Sequence, residues 1–464
     1  MAETSVPGPA GRPLIGSLLE LRRDPIGALA RARREHGDVV RLTGGLPGLR
    51  MKLYAVFSAE GVQEVLASQA VNFRKDNHIY EEIRESIGNG LVTSQDDEYL
   101  RQRRLIQPLF TNRRVQGYGD AAYTQAASLA ERWGSAPDGV VDLVTEMPDF
   151  TVRTLSSILF GADMDTAVEV IRRRLEHFVT YTLDRGFSPV NIPRHWPTPA
   201  NRRAAAGQRE LYAVCDRIIA ERLSGRAGSG AAAHSGARGD DMLSLFIDAH
   251  SEHGEAVVAD ELRDQLLVFL LAGSETTATS LAVALHLLAS HPEAQERAHA
   301  EIDGALAGRR PGAADLEDLP YLTMVLKEAM RLHSPIQFIG RRSVEDMVIG
   351  GHRIPAGADV VVCSGVTHRH PAYWPDPDRF DPERFSPEAE AGRHRYAWFP
   401  FGGGPRACIG QRFSMLESVL CLAVLLQRFT ITPVDTGVEL GRALMIQDLG
   451  RIRCRTVPRS PGSP

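Results

Sequence analysis

A cysteine inside a glycine-rich loop is the residue of this sequence with the most distinctive chemistry. The segment from Phe401 to Gly410 has the pattern F-x-x-G-x-R-x-C-x-G, and Cys408 shortly precedes an apolar run with helical spacing, Phe413 to Phe429. Glycine permits positive φ and close backbone approach, so such a loop can direct peptide N–H groups at one atom. The positive end of a helix dipole also stabilises a thiolate. The loop therefore suits a metal-binding thiolate, and a buried structural cysteine beside a turn is the simpler alternative.

An acid next to hydroxyl groups lies in the middle of a long apolar stretch. At 1.5 Å per residue, a helix from Ala259 to Ser290 would be about 45–50 Å long. Gly273 and the hydroxyl side chains after it weaken a helix, which predicts a bulge or kink at this point. Glu275 beside Thr276 in an apolar wall can relay protons to a bound oxygen species. The alternative is a helix distortion in which threonine hydroxyls bond to backbone carbonyls.

An oppositely charged pair, Glu328 and Arg331, has the three-residue spacing of neighbours on one helix face. An exposed pair of this kind contributes under about 1 kcal/mol. The flanking residues are apolar (Val325, Leu326, Ala329 and Met330) and indicate a buried or half-buried helix instead.

Composition and charge exclude several classes of protein. The 464 residues carry a net charge of −5, which argues against a general nucleic-acid binder. Five cysteines without paired spacing indicate a reducing compartment. The first residues lack a signal-peptide pattern, and the longest apolar run has polar side chains where a bilayer would penalise them most. We expect a cytoplasmic protein with no membrane anchor.

The elements that position these residues are mainly helices. Hydrophobic periodicity predicts helices from about residue 59 to residue 223, and short strands at Val39–Leu42, Lys52–Val56, Met347–Ile354 and Asp359–Cys363. The expected fold class is mainly α with a minor β region to which both ends of the chain contribute. We expect one domain over residues 13–457, disordered ends at 1–12 and 458–464, and a flexible loop at 225–240.

In this order and spacing, the motifs resemble those of the cytochrome P450 family over about residues 12–457. The resemblance implies that fold, and a haem b (iron protoporphyrin IX) whose iron is bound by the Cys408 thiolate. Phe401, Gly404 and Gly410 match fixed positions of the family's haem-binding loop. Glu275 and Thr276 match the acid and the alcohol that manage dioxygen and its protons.

Further residues are assigned by the same resemblance. Glu328 and Arg331 match two members of a structural triad, and Arg384 matches the third. The cations expected to contact the haem propionates are Arg103, Arg341 and Arg406, with Tyr99 at a position where the family usually has tryptophan. The expected substrate pocket is apolar, and its candidate residues are Ile79, Tyr80, Ile83, Ile87, Phe178, Tyr181, Ala272, Gln337, Phe338 and Met445. Ordinary core packing is the alternative for each of them.

The implied activity is that of a haem-thiolate monooxygenase that inserts one oxygen atom of O2 into a C–H bond. We expect a hydrophobic substrate, such as a polyketide or terpenoid of secondary metabolism, and a monomeric enzyme. We expect no fused flavin or ferredoxin module, so electrons would come from NAD(P)H through a separate ferredoxin and ferredoxin reductase. An acidic donor protein could dock on a basic patch, for which the candidates are Arg101, Arg104, Arg113 and Arg412. The alternatives are a peroxide-driven enzyme, a haem-thiolate isomerase or dehydratase, and a haem-based ligand sensor.

Overall fold

Two units divide the chain, and each is assembled from separate segments. The computed structural model describes residues 5–12, 16–45, 51–161, 165–186, 188, 191–228, 241–435 and 449–459. Unit 1 comprises Met1–His78, Thr323–Cys408 and Thr436–Arg451. Unit 2 comprises Ile79–Leu322, Ile409–Asp435 and Ile452–Pro464. The expectation of a single domain over residues 13–457 stays a prediction.

Helices account for 62% of the structure, which confirms the predicted fold class of many helices with small sheets. The α-helices are α1 (Leu18–Arg23), α2 (Pro25–His36), α3 (Ala59–Gln63), α4 (His78–Ile87), α5 (Asp96–Ile106), α6 (Asn112–Gly117), α7 (Gly119–Gly134), α8 (Leu143–Phe160), α9 (Asp165–Gly186), α10 (Pro199–Gly228), α11 (Met242–Glu252), α12 (Ala259–Ser290), α13 (Pro292–Leu306), α14 (Pro320–Leu332), α15 (Ser364–Thr367), α16 (Pro387–Ala391) and α17 (Gln411–Arg428). The strands are β1 (Val39–Gly44), β2 (Met51–Val56), β3 (Phe73–Arg74), β4 (Val140–Asp142), β5 (Phe338–Ser343), β6 (Met347–Ile349), β7 (His352–Ile354), β8 (Asp359–Cys363), β9 (Phe429–Pro433) and β10 (Arg453–Pro458).

The main sheet of unit 1 joins strands from distant parts of the chain in the order β1-β2-β8-β5-β3. Strand β2 pairs in parallel with β8, with Tyr54 opposite Val360, and the other neighbours are antiparallel. The sequence predicted this combination of early and late strands. Apolar residues such as Val56, Val362 and Ile349 form the core beside the sheet.

Both ends of the chain are more ordered than the sequence predicted. Val6 is buried in the core of unit 1, and the Arg41 N–H donates to the Pro7 carbonyl at 2.8 Å. Predicted disorder over residues 1–12 is therefore wrong for residues 5–12, because one apolar side chain in a polar, Pro- and Gly-rich segment is buried. At the other end, Pro458 pairs with Phe429 in β10, and the Arg459 N–H donates to the Arg428 carbonyl at 2.8 Å. Residues 225–228 continue α10, while residues 229–240 and 460–464 lie outside the described residues.

The core of unit 2 is built around α12, which packs on α8, α10 and α17. Within the described residues α12 alone is long and apolar enough to span a membrane, yet 72% of its most apolar window is buried in the protein. The helix runs without interruption from Ala259 to Ser290, so the predicted bulge or kink is absent. The hydroxyls that compete for backbone groups bond within the helix: Ser274 donates to the Leu270 carbonyl and Ser280 to the Thr276 carbonyl.

Candidate functional site

The Cys408 loop is closed by three backbone hydrogen bonds. The Gly402 N–H donates to the Phe399 carbonyl at 2.9 Å, and the Cys408 N–H donates to the Phe401 carbonyl at 2.9 Å. A short 3-10 helix, Gly404–Arg406, lies between these bonds, and the Ala407 N–H closes it on the Gly404 carbonyl. These bonds give the loop a defined path from Phe399 to Cys408.

Glycine is required at successive positions of this loop. Gly402 and Gly404 have φ of +68° and +63°, a region that residues with a side chain rarely adopt. A Cβ on Gly404 would lie 2.0 Å from the carbonyl oxygen of Leu66, and one on Gly403 would lie 2.3 Å from Cε1 of Tyr396. The glycine pattern noted in the sequence is thus a packing requirement of unit 1.

The five cysteines of the chain all lie in the described part, and Cys408 is the exposed one. Burial raises the pKa of Cys215, Cys363 and Cys454 to about 12, and it raises that of Cys421 well above its usual range. These four are neutral thiols suited to packing. An accessible thiol in a loop shaped by glycine fits a thiolate ligand for a metal or haem iron.

Glu328 and Arg331 form a completely buried ion pair, each with a side chain 0% exposed. The Arg331 guanidinium donates to both carboxylate oxygens, at 2.6 and 2.8 Å. The Arg384 Nε lies 3.5 Å from the same carboxylate, and the Asp381 N–H donates to it at 3.0 Å. The structure thus brings together the three predicted triad residues, and the pair is buried, as its apolar neighbours indicated.

Arg331 and Arg384 also donate hydrogen bonds to backbone carbonyls of the irregular segment between His368 and Arg379 in unit 1. Arg331 donates to the carbonyls of His368, Pro377 and Arg379, at 3.0, 2.7 and 3.2 Å. Arg384 donates to the Asp376 carbonyl at 2.8 Å. The buried guanidinium of Arg331 and the half-buried one of Arg384 thus fix carbonyls that range from buried, at His368, to exposed, at Asp376.

The acid and the alcohol predicted from the sequence lie side by side on α12 in unit 2. Glu275 and Thr276 are both partly exposed. The Thr276 hydroxyl donates to the Ala272 carbonyl at 2.7 Å, which is the back-bonded geometry that the sequence left as an alternative. A hydroxyl that donates in this way can still accept a hydrogen bond at its oxygen. The next residue, Thr277, is buried and bonds to Ser414 on α17 at 3.1 Å.

The predicted propionate-binding residues are divided between the units. In unit 2, Tyr99 is buried and Arg103 is half-buried, four residues apart on α5. In unit 1, Arg341 is buried on β5 and donates to the Gly340 carbonyl at 2.8 Å, while Arg406 is half-buried in the Cys408 loop. Gly410 is the N-cap residue of α17 in unit 2.

Arg101 does not belong to the proposed basic patch. Its guanidinium binds Glu98, Glu255 and Glu261, with distances of 2.9, 2.6 and 2.6 Å. The sequence alone could not show this pairing, because Glu255 and Glu261 lie more than 150 positions from Arg101. The remaining three candidates, Arg104, Arg113 and Arg412, are exposed, although Arg104 lies 3.6 Å from the Glu255 carboxylate.

The predicted pocket residues fall into several environments. Ile87 and Phe338 lie in the apolar cores of their units, the alternative that the sequence left open. Tyr181 donates its hydroxyl to Asn201 at 2.8 Å. Tyr80 and Gln337 are buried, Ile79 and Ile83 half-buried, and Ala272 exposed. Met445 and the side chain of Phe178 lie outside the described residues, and the pocket stays a prediction.

Sequence reasoning missed one buried acid. Glu417 on α17 is completely buried beside Thr154, whose hydroxyl donates to the Phe150 carbonyl at 2.9 Å. Burial raises the pKa of Glu417 well above its usual range, so this carboxyl is a neutral acid. The signal was available, because a single carboxylate interrupts an otherwise apolar helix between Phe413 and Phe429.

Comparisons with known proteins identify the family of the chain. A model of the family described as Cytochrome P450 matches residues 6–443. Cyclooctatin synthase of Streptomyces melanosporofaciens is 34% identical over 97% of this chain and 95% of its own length. Cyclooctat-9-en-7-ol 5-monooxygenase of the same organism is 33% identical over 93% and 90%. The crystal structure of the cytochrome P450DA haem domain is 28% identical, with a TM-score of 0.87 over 99% of both chains. The chain therefore belongs to the cytochrome P450 family and is a monooxygenase, an oxidoreductase that incorporates oxygen into its substrate.

Proposed function

We propose that this monooxygenase holds haem b through the Cys408 thiolate and oxidises a C–H bond of an apolar, terpenoid-like alkene or alkenol. Family membership implies haem, O2 and electrons from a redox partner. The observation that carries the proposal is the exposed Cys408 in a loop where a Cβ on Gly403 or Gly404 would clash with its neighbours. When bound, thiolate-ligated haem supplies the O–O cleavage and the oxygen transfer.

The chain's own residues bind and orient the group. Arg103, Arg341 and Arg406 would balance the charge of the two propionates, which are carboxylates and prefer guanidinium partners. Tyr99 would add one hydrogen bond through its hydroxyl. The buried pair of Glu328 and Arg331 supports unit 1 around the loop that presents the thiolate.

Proton supply is assigned to Glu275 and Thr276. Glu275 is partly exposed and can exchange protons with solvent. The Thr276 hydroxyl donates a hydrogen bond to the Ala272 carbonyl, so its oxygen can accept a hydrogen bond from a protonated neighbouring group and orient it. This pair favours oxygen-dependent turnover over a peroxide-driven reaction, which needs no proton relay.

The substrate assignment follows from the chemistry in one relative's name. Cyclooctat-9-en-7-ol denotes an alkenol, and that relative is 33% identical over most of both chains. The candidate pocket residues of this chain are mainly apolar, as such a substrate would require.

Electrons would come from NAD(P)H through a separate ferredoxin and its reductase, in the cytoplasm. Arg104 has a side chain 62% exposed. It lines a surface cavity of about 460 Å³ together with Leu100, Arg103, Gln107, Pro108 and Thr111. An acidic donor protein would be attracted to this surface.

Ligation by Cys408 is tested on the purified holoprotein by reduction and addition of carbon monoxide. We expect the strongly red-shifted band of thiolate-ligated haem in the wild type and its loss in Cys408→Ser. Cys363→Ser is the matched control, because that cysteine is completely buried in the sheet of the same unit. A red-shifted band that survives in Cys408→Ser would contradict the proposal.

The substrate class is tested by titrating cyclic alkenes and alkenols against polar analogues of the same size. We expect a blue shift of the Soret band with the apolar compounds only. Saturable shifts with charged analogues alone would contradict the assignment.

A further inference from the structure

A buried histidine joins the ion pair of Glu328 and Arg331 to the Cys408 loop within unit 1. His368 follows α15 and is 0% exposed. Its own carbonyl accepts a hydrogen bond from Arg331 at 3.0 Å, and its Nε2 faces the Phe399 N–H at 3.0 Å. The rings of His368 and Phe399 meet edge to face, with centroids 5.0 Å apart.

The hydrogen bond between His368 and Phe399 lies at the start of the Cys408 loop. The Phe399 carbonyl accepts the Gly402 N–H at 2.9 Å, which is the first of the bonds that close the loop. Phe399 is buried, so its N–H has no access to solvent. An apolar side chain in place of His368 would leave that donor unsatisfied, which destabilises this part of the loop beyond the change in packing alone.

The imidazole is held in the neutral form that this bond requires. Burial, together with the cations Arg331 and Arg369, lowers the pKa of His368 to about 3. A neutral imidazole has one N–H and one acceptor nitrogen. Because Nε2 accepts from Phe399, the single proton of the neutral ring is on Nδ1.

We infer that His368 is a positioning residue for the haem-binding loop: it accepts the Phe399 N–H and transmits the restraint of the buried ion pair to the segment that carries Cys408. The inference rests on the proposed ligation by Cys408. His368 would prolong the thiolate ligation of the haem and would not contact the substrate.

The test compares acceptor and non-acceptor side chains at position 368 in the full-length holoprotein. His368→Leu removes the acceptor, and His368→Gln places a carbonyl oxygen near the position of Nε2. His368→Asn is shorter and does not reach the Phe399 N–H. The matched control is His370→Leu, since His370 is buried nearby in sequence but bonds to Asp38 and to the Ala372 N–H.

The readout is the rate at which the reduced carbon-monoxide complex loses its red-shifted band under mild denaturant. We expect about a tenfold faster loss in His368→Leu than in the wild type. We also expect recovery of the wild-type rate in His368→Gln. His370→Leu should keep the wild-type band lifetime even where its unfolding midpoint falls.

Two results would overturn the inference. One is a wild-type lifetime in His368→Leu, and the other is an equal loss in His370→Leu. If His368→Leu yields no holoprotein, the Gln and Asn variants decide, because equal lifetimes in those two would also overturn it. A wild type without the red-shifted band would instead refute ligation by Cys408, which separates the failure of the two proposals.

Discussion

Removal of Glu328 is expected to be among the most damaging single changes in unit 1. Among the described residues, Glu328→Ala leaves the buried Arg331 guanidinium with backbone carbonyls as hydrogen-bond partners and no carboxylate at bonding distance. Breaking a buried ion pair by deleting one partner costs about 3–5 kcal/mol. Proteins of this kind have a free energy of unfolding of about 5–15 kcal/mol, so this is a large fraction of the total.

A matched control lies one residue away on the same helix. Lys327 pairs with Glu390 at 2.9 Å, but these side chains are 23% and 39% exposed. Water screens that pair, so Glu390→Ala is expected to cost at most about 1 kcal/mol. The two variants remove the same side chain from ion pairs of similar length and different burial.

The assay is urea unfolding followed by far-UV circular dichroism, with haem content per folded protein measured in parallel. We expect Glu328→Ala to lower the unfolding midpoint strongly and to lose haem, and Glu390→Ala to change neither much. If both variants shift the free energy of unfolding equally, burial of the charge is not what makes this pair important. A Glu328→Ala protein with full haem would refute the structural role of the triad.

Two further predictions concern a buried acid and a loop glycine. Burial raises the pKa of Glu417 above its ordinary value of 4.5. Between pH 4.5 and the raised pKa, the folded state binds a proton that the unfolded state has lost. The free energy of unfolding therefore falls as pH rises through this window. Glu417→Gln should therefore gain stability relative to the wild type by up to about 1.4 kcal/mol per pH unit over this window. The exposed Glu388→Gln should show no such trend in thermal unfolding, and a flat difference for Glu417→Gln would contradict a neutral acid. Gly404→Ala should abolish stable haem binding, because its Cβ would meet the Leu66 backbone at a φ of +63°, whereas Gly392→Ala, with open space around it, should bind haem normally.

The sequence was sufficient where local pattern and packing agree. The strand Asp359–Cys363 was predicted with its observed bounds, because a β-branched run between turn residues has one good conformation. The buried state of Glu328 and Arg331 followed from their apolar neighbours on α14. In both cases the deciding information lay within a few residues.

The sequence failed where partners come from distant segments or where packing outweighs propensity. Arg101 was placed on an exposed patch, and its carboxylate partners Glu255 and Glu261 could not be inferred from local pattern. The expected kink in α12 is absent because burial on several sides stabilises the helix. Hydroxyl groups such as those of Ser274 and Thr276 also bond to carbonyls of the preceding turn without breaking it.

The Cys408 loop gives a structural reason for the buried ion pair of Glu328 and Arg331 in unit 1. A loop rich in glycine loses much conformational entropy on folding. Its geometry must therefore be imposed by surrounding groups, and a guanidinium with five directed donors fixes several carbonyls at once, as Arg331 does. An apolar replacement of the Glu328–Arg331 pair could recover stability, but it would leave those carbonyls, and through His368 the Phe399 N–H, without a defined position. We therefore expect variants with apolar residues in place of Glu328 and Arg331 to keep their free energy of unfolding but to lose the thiolate-ligated state faster. If such a variant keeps both the free energy of unfolding and the lifetime of the thiolate-ligated state, the charges are dispensable for the loop.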